Sequence, residues 1–385
     1  MEAPRSAAGP DAVRPDAAGS APVDLRREVV AVTGAAHPLA AALARRLAGG
    51  EPSAPSRRPA PVVLALDERS PAEDLGAARR VRVDARGASL ARVLDAEGVG
   101  VVVDCSLLPG GSSRTGGQAR DGQPPPGLHV LSAVQRVPSV RRVVLASSTG
   151  VYGASPRAPS VRTEASELAT PSGGLERAAA EVEAALRATT RRREDVAAVV
   201  LRLAEVVGPG LRTPLGEWLE LPAVPCLWGH DPRLQVLHAE DAVEALLLAV
   251  RGDVSGVVNV AGDGVVTLSQ AAALCGRTVL PVPAALLGRT ASALVGRAVP
   301  LPWGDADRVL RSGRVVDLRR MHEDLGLSPR WSSRAAVEDL ARGRGLAGPL
   351  SPEVRRAAAD RAAGAWARLR AVAAAAGHER DGAAR

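Results

Sequence analysis

Short valine-rich runs alternate with stretches of helical spacing along most of this chain. Val29–Val32 is apolar at every position and ends at Thr33-Gly34. Residues 39–48 then carry apolar side chains at helical spacing with charge on one face. A second run, Val62–Leu66, ends at Asp67, and strand-like runs recur at 81–83, 100–104, 142–146 and 198–203. Runs that are apolar on both faces, separated by helices, predict a parallel, doubly wound sheet.

Two stretches break this rhythm. Residues 108–127 hold Gly110-Gly111, Gly116-Gly117 and Pro124-Pro125-Pro126 and read as a long loop. Past 204 the spacing is less regular. A Pro-rich segment at 209–225 precedes an expected strand at Leu234–Leu237, and Asp241 is placed to cap a helix Ala242–Val250. Gly256–Val260 reads as a further strand. Thr267 and Gln270 have the spacing of a capping box before a helix Ala271–Leu274. Residues 280–303 look like a variable lobe, and a helical run from Ser333 closes the fold near 342. The organisation expected is a disordered leader (1–27), one domain (28–342) and an Ala/Arg-rich helical tail (343–385). The domain divides into a core of about 28–205 and a smaller lobe of about 206–342. No apolar run reaches the roughly 18–20 residues of a membrane span, and the leader lacks the apolar centre of a secretory signal, so the cytoplasm is expected.

Composition changes the reading of charge. The 385 residues include no Phe, Ile or Lys, and only one Tyr (Tyr152) and one Asn (Asn259). All five types use AT-rich codons, which points to a high-GC bacterium. The net charge of +7 is spread along the chain, and aromatics are only 2%. A nucleic-acid partner, which needs concentrated charge with interleaved aromatics, is not expected. Cys105, Cys226 and Cys275 form no CxxC pair and read as buried small side chains. The six histidines show no metal-ligand spacing, so no metal is expected. The 351–376 helix carries arginines, but its apolar face is mostly Ala, too little to hold it on a membrane surface. Trp218, Trp228, Trp303 and Trp331 are expected inside the C-terminal lobe.

The strand–turn–helix at 29–48 has the context of a dinucleotide site: a strand, a glycine turn, a helix N-terminus, and an acid, Asp67, closing the second strand. Of a Gly-x-x-Gly-x-x-Gly turn, only Gly34 is present. His37 and Ala40 take the other glycine positions, and Pro38 has no N–H to offer a phosphate. Read on its own residues, the segment is either a weakened dinucleotide turn or an ordinary strand–turn–helix.

Nine segments in register carry a resemblance. Among them are Val-Ala-Val-Thr-Gly at 30–34, Leu-Ala-Leu-Asp at 64–67 and Val83-Asp84. Val-Val-Leu-Ala-Ser-Ser-Thr-Gly-Val-Tyr-Gly follows at 143–153, then Leu-Arg-Leu-Ala-Glu-Val-Val-Gly-Pro-Gly at 201–210 and Gln-Val-Leu-His-Ala-Glu-Asp-Ala at 235–242. The series closes with 256–262, 313–317 and 325–331. Over roughly 28–342 the chain resembles the extended short-chain dehydrogenase/reductases, in their NAD-dependent epimerase/dehydratase branch. The resemblance implies an α/β fold: a Rossmann-type doubly wound parallel sheet with a smaller C-terminal α/β substrate lobe. It implies NAD as cofactor, held by Gly34, Ala36, His37, Leu39, Asp67 and Asp84, and a nucleotide-sugar or dinucleotide ligand. It also suggests a homodimer through the Ala-rich helix 175–188.

In that family a Ser ending the fifth strand polarises the substrate, and a Tyr with a Lys four residues later moves the proton. Ser148 matches the Ser. Aligned on Glu183, the Tyr position is Leu175 and the Lys position is Ala179. Gln123 replaces an expected Asn, Glu205 another, and Leu234 stands where an Arg is usual. Ser148 is therefore read as vestigial, and NAD as held weakly or lost. Glu205, His238 and Tyr152 are the substitute proton donors on offer, none in register. His238 and Asp241 read as structural, a strand-end packing residue and a helix cap. Three functions stay open: a divergent member that binds a dinucleotide weakly as a sensor or interaction protein; an active enzyme with an atypical proton donor; and a scaffold that binds no nucleotide.

Overall fold

The computed structural model describes residues 28–49, 61–84, 88–108, 124–155, 158–169, 174–282 and 306–346. The expected leader, the 343–385 tail beyond Leu346, Trp303, and most of the 108–127 loop and the 280–303 lobe lie outside these residues.

The valine-rich runs become strands covered on both faces: β1 (Val29–Thr33), β2 (Val62–Asp67), β3 (Arg79–Arg82), β4 (Val99–Asp104), β5 (Arg142–Ser148) and β6 (Ala197–Leu203). With β11 (Gly256–Val260) they form a seven-stranded sheet in the order β11-β6-β5-β4-β1-β2-β3. Every pairing in it is parallel. Helices α1 (Pro38–Leu47), α2 (Ala88–Ala96), α3 (Pro126–Val134), α4 (Gly174–Arg192) and α6 (Ala239–Arg251) supply the crossovers. The strand order turns back between β1 and β4, and the crevice outside their carboxyl ends is where such folds take ligands.

A second apolar cluster is built from β7 (Glu205–Val207), α5 (Pro214–Leu219), β8 (Ala223–Leu227), β9 (Arg233–Leu234), β10 (Val236–His238), β12 (Val266–Thr267), α7 (Leu268–Leu274), β13 (Thr278–Val282), α8 (Ala306–Ser312) and α10 (Ser333–Gly343). Trp218, Leu219, Leu268 and Leu340 sit at its centre. The short helix α9 (Arg319–Glu323) packs back onto β11.

Several expectations are met closely. β11 spans the residues expected, and the Thr267–Gln270 capping box forms in both directions ahead of α7. All three cysteines are free and buried. Others change. The sheet takes its last strand from 256–260, past the 205 boundary expected for the core, so core and lobe interleave along the chain. α3 begins at Pro126, inside the expected loop, because Pro fits the first helical turn. The Pro-rich 209–225 contains α5 and β8. The single strand expected at 234–237 is two, parted at Gln235, whose side-chain oxygen accepts the Val316 N–H at 2.7 Å. α6 starts three residues early, capped by His238 rather than Asp241. Asp241 instead accepts the N–H groups of Arg330 and Trp331. Trp218 is buried as expected, but Trp228 is 68% exposed.

Candidate functional site

At the β1–α1 turn Gly34 has φ +71°, and a Cβ there would lie 3.0 Å from the Cys105 carbonyl group. Glycine is therefore required both by the left-handed backbone and by the close approach of the chain after β4. Beyond it the turn satisfies its own donors. The Ala35 N–H bonds the Leu66 carbonyl at 3.2 Å, and the His37 N–H bonds the Gly34 carbonyl at 2.9 Å. The Ala36 N–H reaches Asp67 Oδ2 at 3.0 Å. Pro38 has no N–H. The Leu39 N–H goes to His37 Nδ1 at 3.1 Å, so the buried His37 ring is the N-cap of α1. Asp67 also accepts the Arg69 N–H at 2.9 Å. Five of the six expected cofactor residues thus meet at one turn. Asp84 is on the surface after β3, where its carbonyl accepts the Ser89 hydroxyl.

Across the crevice stands a residue that the sequence reading passed over. Asp104 ends the otherwise apolar β4, and that lone carboxylate was the available signal. It is fully buried. Its Oδ1 accepts Thr33 Oγ1–H at 2.9 Å and the Ser106 N–H at 3.0 Å. Its Oδ2 has no hydrogen-bond partner among the described residues. Burial raises its pKa above the usual carboxylate range, against the hydrogen bonds from Ser106 and Thr33.

At the end of β5, Ser148 Oγ accepts the Gly150 N–H at 3.0 Å and caps the following 3-10 turn. Leu175 and Ala179 lie on α4 against the core, Ala179 fully buried. Neither carries an ionisable group. Tyr152 sits instead inside a buried network. Its hydroxyl donates to Asn259 Oδ1 at 2.7 Å and accepts from Arg202 Nη1 at 2.8 Å. Arg202 grips Glu183 with two bonds, at 3.1 and 2.6 Å, and Ser147 donates to the same carboxylate at 2.6 Å. Burial raises the Tyr152 pKa despite Arg202. The chain's one tyrosine and one asparagine therefore bond each other, joining the 3-10 turn after β5 to β11. His238 is equally committed: Nδ1 caps α6, Nε2 lies 3.2 Å from Asp339, and the ring stacks on Trp331. Glu205 faces Arg314 at 3.7 Å.

Taken together, a parallel sheet with a switch-point crevice, a glycine turn and an acid after β2 define a Rossmann-type protein. The family model for the NAD dependent epimerase/dehydratase family matches residues 30–261, and the chain belongs to that family. It is 37% identical over 349 residues to uncharacterized protein Rv0501 of Mycobacterium tuberculosis, covering 88% of this chain and 89% of that protein. Among solved structures, it is similar to MoeE5 in complex with UDP-glucuronic acid and NAD (TM-score 0.59, 22% identity, 82% of this chain and 98% of that one). It is also similar to dTDP-glucose 4,6-dehydratase from Bacillus anthracis in complex with NAD (TM-score 0.59, 15% identity, 86% and 99%). At these identities the likeness concerns the fold.

The turn fits a dinucleotide poorly. From Ala35 to Leu39, each backbone N–H is already engaged and Pro38 has none, so no donor in that stretch is left for a pyrophosphate. No group of three or more His, Cys, Asp or Glu among the described residues could hold a metal. No helix among them is long and apolar enough to cross a membrane.

Proposed function

We propose that this chain is a divergent epimerase/dehydratase family member that holds NAD weakly and does not run the family's Tyr/Lys proton transfer, acting as a sensor or interaction protein. The observation that carries this reading is the His37 cap. Its ring takes the Leu39 N–H at the helix end where a phosphate would otherwise sit. The side chains at 175 and 179 support it, since a leucine and a buried alanine move no proton. Ser148 alone can orient an oxygen but cannot supply general acid–base help, typically worth about 10²–10⁴-fold.

Mass spectrometry of ligand released from the purified full-length protein tests the reading. Substoichiometric NAD, or none, is the expected result. A screen of nucleotide sugars and simple carbonyls, followed by NADH absorbance and product sugars, should stay at background. Robust turnover abolished by Ser148→Ala would replace this reading with that of an active enzyme.

A further inference from the structure

The end of β4 places an acid beneath the crevice with no cation to balance it. Asp104 pairs in register with Thr33 of β1 and Leu145 of β5. Thr33 immediately precedes Gly34, and the carbonyl of Cys105 lies 3.0 Å from the point a Cβ on Gly34 would take. The Asp104 carboxyl, bonded to the Thr33 hydroxyl, therefore lies under the β1–α1 turn. Its other side is closed. A Cβ on Gly127, in the first turn of α3, would come 2.9 Å from Asp104 Oδ2 and 2.8 Å from Val182 Cγ1 of α4.

The elements around it bring no counter-charge. On β5, Arg142 is tied to the Ala249 and Val254 carbonyls at the other end of the strand. His129 is the titratable residue of α3. Glu183, the buried charge of α4, is held by Arg202 and Ser147. Burial and the Asp104 charge keep the neighbouring Cys105 thiol protonated. Across the turn stand His37 and Asp67. Burial opposes the charge on Asp104, and only the Ser106 and Thr33 hydrogen bonds favour it.

A carboxylate so placed acts on whatever enters above it. Solvent ions screen a buried charge poorly, and like charges repel strongly at low dielectric. A diphosphate at the start of α1 thus meets repulsion from below, in a turn whose own donors are already spent. Protonated, the same carboxyl carries no charge and the repulsion is gone.

We propose that Asp104 sets the crevice against dinucleotides, and that one binds there with uptake of a proton by this carboxyl, so that affinity falls as pH rises. This rests on weak dinucleotide binding at the turn and adds the condition under which that binding strengthens.

Calorimetric titration of the full-length protein with NAD, from about pH 5 to pH 8, tests it. The NAD diphosphate keeps its charge throughout. Affinity should fall by about tenfold or more across the range. Asp104→Asn should bind at every pH as the natural protein does at the acidic end. Protonation of His37 would tilt affinity the same way, but that slope would persist in Asp104→Asn. Should Asp104→Asn fail to fold, Thr33→Val carries the test. It removes a donor that favours the carboxylate, so the midpoint of the slope should move to higher pH. A flat profile in the natural protein, a slope that persists in Asp104→Asn, an unmoved midpoint in Thr33→Val, or no NAD binding at any pH would each overturn the proposal. Weak binding with a flat profile leaves the weak-binder reading standing. Tight binding with a slope that Asp104→Asn abolishes defeats that reading alone.

Discussion

His37 shows how one side chain can close a site without filling it with bulk. Its Nδ1 accepts a hydrogen bond, so the ring is neutral there and carries its proton on Nε2. A sequence reader sees a histidine in a glycine position and infers crowding. That the ring turns back and caps the helix depends on its rotamer, which no spacing rule reveals. Asp67 was legible as the acid closing β2. Its bond to the Ala36 N–H was not, because it spans 31 residues. If a dinucleotide enters this crevice, Asp67 should repel a 2′-phosphate, so NAD(H) should bind more tightly than NADP(H) by about 1–2 kcal/mol. The Arg69 guanidinium, 3.9 Å from Asp67, softens that preference. Calorimetry with both cofactors checks it, and equal or tighter NADP(H) binding would contradict the role assigned to Asp67. Tyr152→Phe removes bonds to Asn259 and Arg202 in a buried network. It should cost about 1–3 kcal/mol of stability in urea denaturation and leave dinucleotide affinity unchanged. Weaker NAD binding in a normally stable Tyr152→Phe would instead place this tyrosine at the cofactor site.

At the scale of elements, α4 and β6 are held by the Glu183–Arg202 pair, both side chains buried. Removing one partner strands the other in the interior, so Glu183→Ala should lose about 3–5 kcal/mol. The apolar double replacement Glu183→Leu/Arg202→Met should recover much of that loss, because it leaves no uncompensated charge. Denaturant titration of Glu183→Leu, Arg202→Met and the double variant reads this directly, and additive losses would show that the pair is not one unit. β4 carries a pH signature. Asp104 has a raised pKa in the fold, so the stability it contributes is fully present below the unfolded carboxylate value, near 3.9, and is lost as pH rises through the folded value. Asp104→Asn, which cannot ionise, should therefore gain on the natural protein as pH rises from about 4 to 7. A gap independent of pH would mean that the Asp104 carboxylate is charged in the fold. The strands themselves were legible, because runs apolar on both faces leave few alternatives. The ends of elements were less so. The buried Arg142 closes the C-terminus of α6 by donating to the Ala249 and Val254 carbonyls, contacts made from more than a hundred residues away.

Over the whole molecule, the parallel sheet, the α/β class and the family could all be read from ordered segments. The interleaving of its two apolar clusters could not, since strand order is not a local property. β11 returns to the main sheet beside β6 after β7–β10 and α5 have already contributed to the second cluster. The bridge to Leu234 brings Arg314, from the matched segment 313–317 late in the chain, beside Thr149 and Glu205. The crevice lies at the carboxyl ends of the sheet, yet the donors of the β1–α1 turn are spent internally. Titration calorimetry of NAD into the natural protein and into His37→Gly/Pro38→Tyr tests it most directly. Freeing the Leu39 N–H and adding one at position 38 should tighten binding by about 0.5–1.5 kcal/mol, roughly two- to twelvefold, from a weak starting affinity. Tight NAD binding by the natural protein, with no change or a loss in the variant, would show that the turn meets the pyrophosphate as it stands and would contradict the account.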